Sequence, residues 1–298
     1  MKKNKISKIL FVINPKSGRG FKVNSDAVIS KFSVDYGFQY EIFKTTGKDD
    51  GTKIREQVDE YKPDTVVAVG GDGTINIVAE VLIGTQMKLG IIPNGSANGL
   101  AYNLNMPAQF EEALRRNLDC RFKPIDVIRV NDKHYCLHLS DLGINARIVK
   151  RFEREGGKGL IGYGKQLVKE LFSKKSFFTI RLETADATKR TKAEMVVIAN
   201  AKSYGTGISI NPYGHLDDGK FEVIIIKPYP WWFLFTFIYR SLTGKLEKLQ
   251  YVDVFKTDYA ELKVERYQDF QVDGEIKEKA KTLKLEIVPH ALNICYVE

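Results

Sequence analysis

Cysteine is scarce in this sequence: only Cys120, Cys136 and Cys295 occur, far apart and with no Cys-x-x-Cys pair. An odd, scattered set points to reduced thiols in the cytosol and against a zinc site. Long apolar runs are missing too, and no stretch approaches the ~18 residues a membrane span needs. The basic start Met1-Lys2-Lys3-Asn4-Lys5 imitates a signal peptide, but the apolar run Ile9–Ile13 is too short and leads straight into Asn14-Pro15-Lys16-Ser17-Gly18. It reads as a first strand, which makes the chain soluble or peripheral. No Gly-Lys-Ser/Thr ending completes a P-loop, the glycines do not fit G-x-G-x-x-G, and no RNA- or DNA-binding motif is present. Acidic residues are outnumbered, 37 against 46 basic, for a net charge of +9. That excess favours an anionic partner such as a nucleotide, a nucleic acid or a membrane surface, unless it serves solubility alone.

What is present is an ordinary globular composition, 43% hydrophobic and 28% charged over 298 residues, enough for one large domain or two medium ones. The chain is organised around Val66–Thr74. A β-branched run ends in Gly70-Gly71-Asp72-Gly73-Thr74, followed by a helix-like segment, Ile75–Leu82. Strand, glycine turn and helix together present backbone N–H groups and a positive helix dipole to a phosphate. Asp72 would repel that phosphate unless a Mg²⁺ lay between them, as hard oxygen ligands favour. A plain tight βα turn explains the glycines but not the Asp-Gly-Thr.

Around this turn the pattern predicts a strand over 8–14, a helix near 24–36, a strand over 39–44 and a helix near 50–61. The loop after the first strand carries Lys16 and Arg19, a second phosphate-handling candidate. A strand over 87–93 then ends in Asn94-Gly95-Ser96-Ala97-Asn98-Gly99, with Ser96 placed as N-cap of a short helix through 104. Repeated strand–turn–helix units predict an α/β, doubly wound parallel sheet, with the ligand beyond the carboxyl ends of its strands.

Past the helix at 110–118 the texture changes. Strand-like segments at 122–130, 135–139, 177–184, 195–200, 220–227 and 252–264 predict a β-rich second domain. Two helices, near 144–155 and 160–173, interrupt it. The glycine linker 156–159 joins them among Lys150, Arg151, Arg154, Lys158 and Lys165, as a lid or a plain surface connection. The aromatic stretch 231–239, flanked by Lys227, Arg240, Lys245 and Lys248, suits a membrane interface. A buried core helix competes and is preferred, since apolar core runs are common. In Asp273-Gly274-Glu275, one carboxylate could take a proton from a substrate hydroxyl while the other helps hold Mg²⁺. An Asp-Gly pair between strands is also an ordinary hairpin turn. The acidic turn His215-Leu216-Asp217-Asp218-Gly219-Lys220 is a candidate cation site.

Taken as a set and in this order, five motifs resemble the diacylglycerol/sphingosine kinase family of lipid kinases. They are Asn14–Gly18, Gly70–Thr74, Pro93–Ala101, Leu216–Gly219 and Asp273–Glu275. The resemblance implies an ATP-binding α/β domain over 1–120 with 280–298 returning to it, and a sandwich-like lipid domain over 121–279. It implies ATP contacts from Asn14, Pro15, Lys16, Ser17, Gly18, Thr45, Gly70, Gly71, Gly73, Thr74, Asn76, Gly95, Ser96 and Asn98. It also implies catalytic roles for Asp72, Asp273 and Glu275. Metal support would come from Asp72 and Asp126, and a structural Mg²⁺ from Asp218 with the backbone oxygens of His215 and Lys220. The chain departs from the family at Ile77 (often Glu), Gly99 (often Asp) and Asn145-Ala146 (usually Asp-Ala). The resulting expectation is an ATP- and Mg²⁺-dependent lipid kinase, cytoplasmic and peripheral at the inner membrane face. Its partners would be a lipid substrate and an anionic membrane surface, with no nucleic acid; the oligomeric state is left open, a homodimer included. An NAD kinase and a non-catalytic nucleotide- or lipid-binding module are the alternatives.

Overall fold

A computed structural model describes residues 6–17, 24–143, 177–203, 210–212, 214–230, 232–233, 236, 240 and 249–296. The expected helices at 144–155 and 160–173, their linker with its basic residues, Asn145, Gly18, Arg19, Trp231, Lys245 and Lys248 lie outside them. Packing divides the chain into unit one, Met1–Ile125 with His290–Glu298, and unit two, Asp126–Pro289.

Unit one alternates strand and helix: β1 (Lys8–Ile13), α1 (Ser25–Tyr36), β2 (Gln39–Lys44), α2 (Asp50–Tyr61), β3 (Thr65–Gly70), α3 (Asp72–Leu82), β4 (Lys88–Pro93), α4 (Gly99–Asn103) and α5 (Phe110–Asp119). β3 reads Thr-Val-Val-Ala-Val-Gly and is buried at every position, as a strand covered by helices on both faces must be. The strands pair in parallel in the order β2-β1-β3-β4, and the end of β16 (Ala280–Tyr296) adds to β4 through Asn293 and Ile294. β1 therefore has β2 on one side and β3 on the other. The winding reverses there, opening a crevice beyond the carboxyl ends of β1 and β3.

Two local expectations need correction. The N-cap of α4 is Asn98, in the left-handed region at φ 52°, whereas Ser96 is exposed in the loop before it. Cys120 and Cys295 are joined as a disulfide across 175 residues of sequence, with Cα atoms 5.9 Å apart. The expectation of reduced thiols rested on separation along the chain, whereas α5 and β16 bring their ends together in space. Cys136 is free and buried.

Unit two holds two antiparallel sheets. In one, β13 (Tyr259–Gln268) pairs with β16 and β8 (Phe178–Thr184), and β8 with β9 (Thr188–Ala193). The residues of β5 (Arg121–Val130) that lie in this unit pair with β6 (His134–Cys136). The other sheet runs β12 (Val252–Thr257), β11 (Phe221–Ile226), β10 (Met195–Ala199), β7 (Leu139–Gly143), β14 (Phe270–Val272), β15 (Glu275–Ile276). The expected strand 252–264 is thus two strands, broken at Asp258. Ile180, Leu182, Leu262 and Leu283 from the first sheet meet Val196, Ile198, Val223 and Phe270 from the second in one core, the arrangement of a sandwich. Side chains alternate faces along a strand. Phe221, Val223 and Ile225 of β11 therefore point into that core, while Ile224 and Ile226 enter a second cluster with Phe233 and Leu249. Phe233 is 3% exposed and packs on Tyr229 and Tyr251, whereas Trp232 is 50% exposed. Within the aromatic stretch, Phe233 thus belongs to the core and Trp232 does not.

Candidate active site

Three loops meet at the crevice of unit one. After β1, the Asn14 side chain turns the chain by accepting from the Lys16 N–H at 2.9 Å and donates to Thr74 Oγ1 at 3.3 Å. Ser17 closes the same turn by donating its hydroxyl to the Asn14 carbonyl at 2.8 Å. After β4, the Asn94 amide donates to Ser17 Oγ at 3.1 Å and to its carbonyl at 3.3 Å, and Asn98 Oδ1 accepts from the Gly95 N–H at 2.6 Å. Lys16 is exposed beside them.

The glycine turn between β3 and α3 packs directly on the β4 loop. A Cβ placed on Gly95 would lie 2.4 Å from the Gly71 Cα, and one on Gly70 would lie 2.3 Å from Thr74 Oγ1. Only glycine allows this approach, and it brings the backbones of 70–74 and 95–98 together at the N-terminus of α3. Gly71 is the N-cap of α3 and supplies no side chain to its first N–H groups, which leaves that end suited to an anion. Asp72, the first helical residue, is half-buried, and its Oδ1 accepts from the Leu100 N–H at 3.3 Å. Thr74 and Asn76 are buried one turn into the helix.

The loop after β2 is held by Asp50, which the motifs did not single out. Its carboxylate accepts from the Thr46 and Gly47 N–H groups at 2.9 and 2.7 Å and from the Thr46 hydroxyl at 2.9 Å. Burial pushes its carboxyl up, but those bonds outweigh it and hold it below the ordinary carboxylate value. Thr45 precedes this turn, half-buried, its N–H on the Ile13 carbonyl. An Asp three residues after the Thr-Thr-Gly that follows β2 was the available signal. Asn94 was within a quoted motif, but its bond to another loop has no sequence signature.

Unit two carries the remaining expected residues. Asp273 and Gly274 form the two-residue turn between β14 and β15, with φ of 48° and 87°, the hairpin geometry that Asp-Gly favours. The Asp273 side chain is buried and accepts from the N–H groups of Leu137, His138 and Leu139 at 2.7, 3.0 and 3.0 Å. Its Oδ1 also lies 2.7 Å from His138 Nδ1. Burial would raise this carboxyl, but His138 and the amides prevail and hold it below the ordinary range. Glu275, beyond the turn, is 41% exposed at its side chain and pairs with Lys277 at 2.9 Å. Gly274 thus sends the two carboxylates into different surroundings. Asp126 is buried, and its Oδ2 accepts from the Gly219 N–H at 2.6 Å, which fixes the acidic turn 216–219 on β5. His215 and Lys220 flank that turn, exposed.

A parallel α/β unit with glycine loops gathered at its switch point, and a unit of two antiparallel sheets, define a two-unit α/β-plus-β class of protein whose crevice suits an anion such as a phosphate. The comparisons refine this. The diacylglycerol kinase catalytic domain matches residues 8–130, and the YegS C-terminal NAD kinase beta sandwich-like domain matches residues 141–296, more than half of the chain. A Klebsiella pneumoniae (strain 342) protein named "Probable lipid kinase YegS-like" is 28% identical over 262 residues, 87% of this chain and 86% of the relative. Another of that name, from Pectobacterium atrosepticum, is 26% identical across 98% of this chain and 96% of its own length. The fold is that of a diacylglycerol kinase crystal structure from Bacillus anthracis str. Sterne, at a TM-score of 0.79, 22% identity and 99% coverage of both chains. The chain belongs to the YegS-type, diacylglycerol-kinase-like family of lipid kinases.

Proposed function

We propose that this chain transfers the γ-phosphoryl group of ATP to a lipid hydroxyl at a membrane surface, with Mg²⁺. The observation that carries the reading is the contact of the Gly71 and Gly95 backbones at the N-terminus of α3, with Asp72 beside it. Phosphoryl transfer asks mainly for positioning and charge neutralisation, and this crevice offers both. Asn14, Pro15, Lys16, Ser17, Gly70, Gly71, Gly73, Thr74, Gly95 and Asn98 would cradle the phosphates, with Thr45, Asn76 and Ser96 at the flanks of the nucleotide. Gly18 would complete the first loop.

Asp72 suits Mg²⁺, which takes one or two carboxylates and fills its remaining positions with phosphate oxygens and water. When bound, the ion would offset the charge developing on the transferred group. Lys16, on its exposed loop, would draw the phosphates toward Asp72. Glu275, partly exposed, is assigned as proton acceptor for the lipid hydroxyl. Asp273, engaged by three amides and His138, is assigned the positioning of that hairpin. The excess of basic residues and the exposed Trp232 support action at an anionic surface.

Transfer of label from γ-labelled ATP into a panel of lipids tests the reading. Label in a diacylglycerol, sphingoid base, ceramide or polyprenol would support it and name the acceptor. Label passing to NAD instead would replace it with the NAD kinase reading.

A further inference from the structure

We infer that the acidic turn of unit two carries its own counter-cation, the ammonium of Lys256, and takes no divalent ion. The likeness to lipid kinases implies a structural Mg²⁺ on Asp218 with the backbone oxygens of His215 and Lys220, and the residues present do not fit it. Lys256 stands on β12 directly opposite Glu222 of β11. Its Nζ lies 2.6 Å from Asp218 Oδ2 and 3.3 Å from Glu222 Oε1. The other oxygen of Asp218 accepts from the Lys220 N–H at 3.1 Å, and the other oxygen of Glu222 from the Asn211 amide at 2.6 Å. Each oxygen of this carboxylate pair therefore already faces an N–H donor.

Mg²⁺ and Ca²⁺ need lone pairs converging at about 2.0–2.6 Å, six or more of them. An ion on Asp218 Oδ2 would also sit against the Lys256 ammonium, and the repulsion of like charges at such distances is large. The cross-strand register delivers the lysine: β12 and β11 pair so that position 256 projects over position 222, two residues into the strand that follows the turn. A salt bridge built into the ladder thus does what a bound cation would do, and does it at any divalent-ion concentration.

The unfolding midpoint of the full chain without nucleotide, in EDTA and in millimolar MgCl₂ or CaCl₂ at matched ionic strength, tests this. Wild type is expected to show no Asp218-dependent shift, meaning the same response as Asp218→Asn. Lys256→Met keeps the stem of the side chain but removes the charge, and should gain a rise of about 2–4 °C with the divalent ion. That gain should vanish in the Lys256→Met, Asp218→Asn double variant. The inference is overturned if wild type is stabilised by Mg²⁺ and Asp218→Asn is not, or if Lys256→Met gains no response. Should Lys256→Met fail to fold, Mn²⁺ binding to the wild-type chain decides: an Asp218-dependent site overturns the inference, and none upholds it.

Discussion

Asp72 and Asp273 are both carboxylates on glycine-bearing turns, yet the structure assigns them different burdens. Asp72 makes one long hydrogen bond, to Leu100, so folding depends on it little. Asp72→Asn should abolish transfer while stability changes by less than about 1 kcal/mol; near-normal turnover would remove the metal-bridging role. Asp273 is buried and accepts from three amides, and uncoupling a buried charge from its partners costs about 3–5 kcal/mol. Asp273→Asn should therefore lower the unfolding midpoint clearly as well as activity. A carboxyl depressed in the folded state stabilises above its unfolded pKa of about 3.9 and loses that contribution as pH falls through the folded value. Wild type should lose stability on acidification below about pH 4 more steeply than Asp273→Asn, which thermal melts across that range would check. Glu275→Gln separates base from scaffold. It should lose about 10²-fold or more in turnover with stability within about 0.5 kcal/mol of wild type. Wild-type turnover in that variant would reduce the segment to a hairpin.

Elements set where these residues meet. Gly95→Ala would drive a methyl against the Gly71 Cα at 2.4 Å, so the β4 loop must withdraw from the β3 turn. The expected result is a loss of ATP affinity by at least about tenfold together with lower stability; unchanged ATP binding by calorimetry would show that the close approach serves packing alone. The parallel half was legible because β1, β3 and β4 are short and largely apolar, a glycine ends or follows each of the four strands within five residues, and each such turn falls at a carboxyl edge. The sandwich half was less so. β9, Thr-Lys-Arg-Thr-Lys-Ala, is an exposed strand without apolar alternation, and β14 and β15 are too short to carry a period. The break at Asp258 leaves no mark in hydrophobicity. At the site, the glycines and Asp72 were visible as a motif. Asp50 and His138 were not, and Asn94 was visible only as a motif member without its bond to Ser17, because each acts through backbone groups or side chains whose identity only the fold reveals. Cys120 and Cys295 escaped for the same reason, since contact across 175 residues has no local signal.

The whole molecule carries an excess of positive charge, +9, and among the described residues no helix is long and apolar enough to cross a membrane. If the surface it meets is anionic lipid, vesicle binding should weaken steeply with salt, as the screening length shortens from about 10 Å at 0.1 M to about 3 Å at 1 M. Equal binding to neutral and anionic vesicles would contradict an electrostatic attachment, and Trp fluorescence indifferent to vesicles would remove Trp232 from the contact. The central claim, phosphoryl transfer from ATP to a lipid hydroxyl by the crevice of unit one, meets its most direct test in ADP formation. It should be measured with Mg²⁺ and vesicles that either contain or lack a hydroxyl-bearing lipid, for wild type and Asp72→Asn side by side. The account predicts ADP only with wild type and the hydroxyl lipid, matched mole for mole by phosphorylated lipid. ADP formed with NAD but not with any such lipid, or equal turnover by Asp72→Asn, would contradict it.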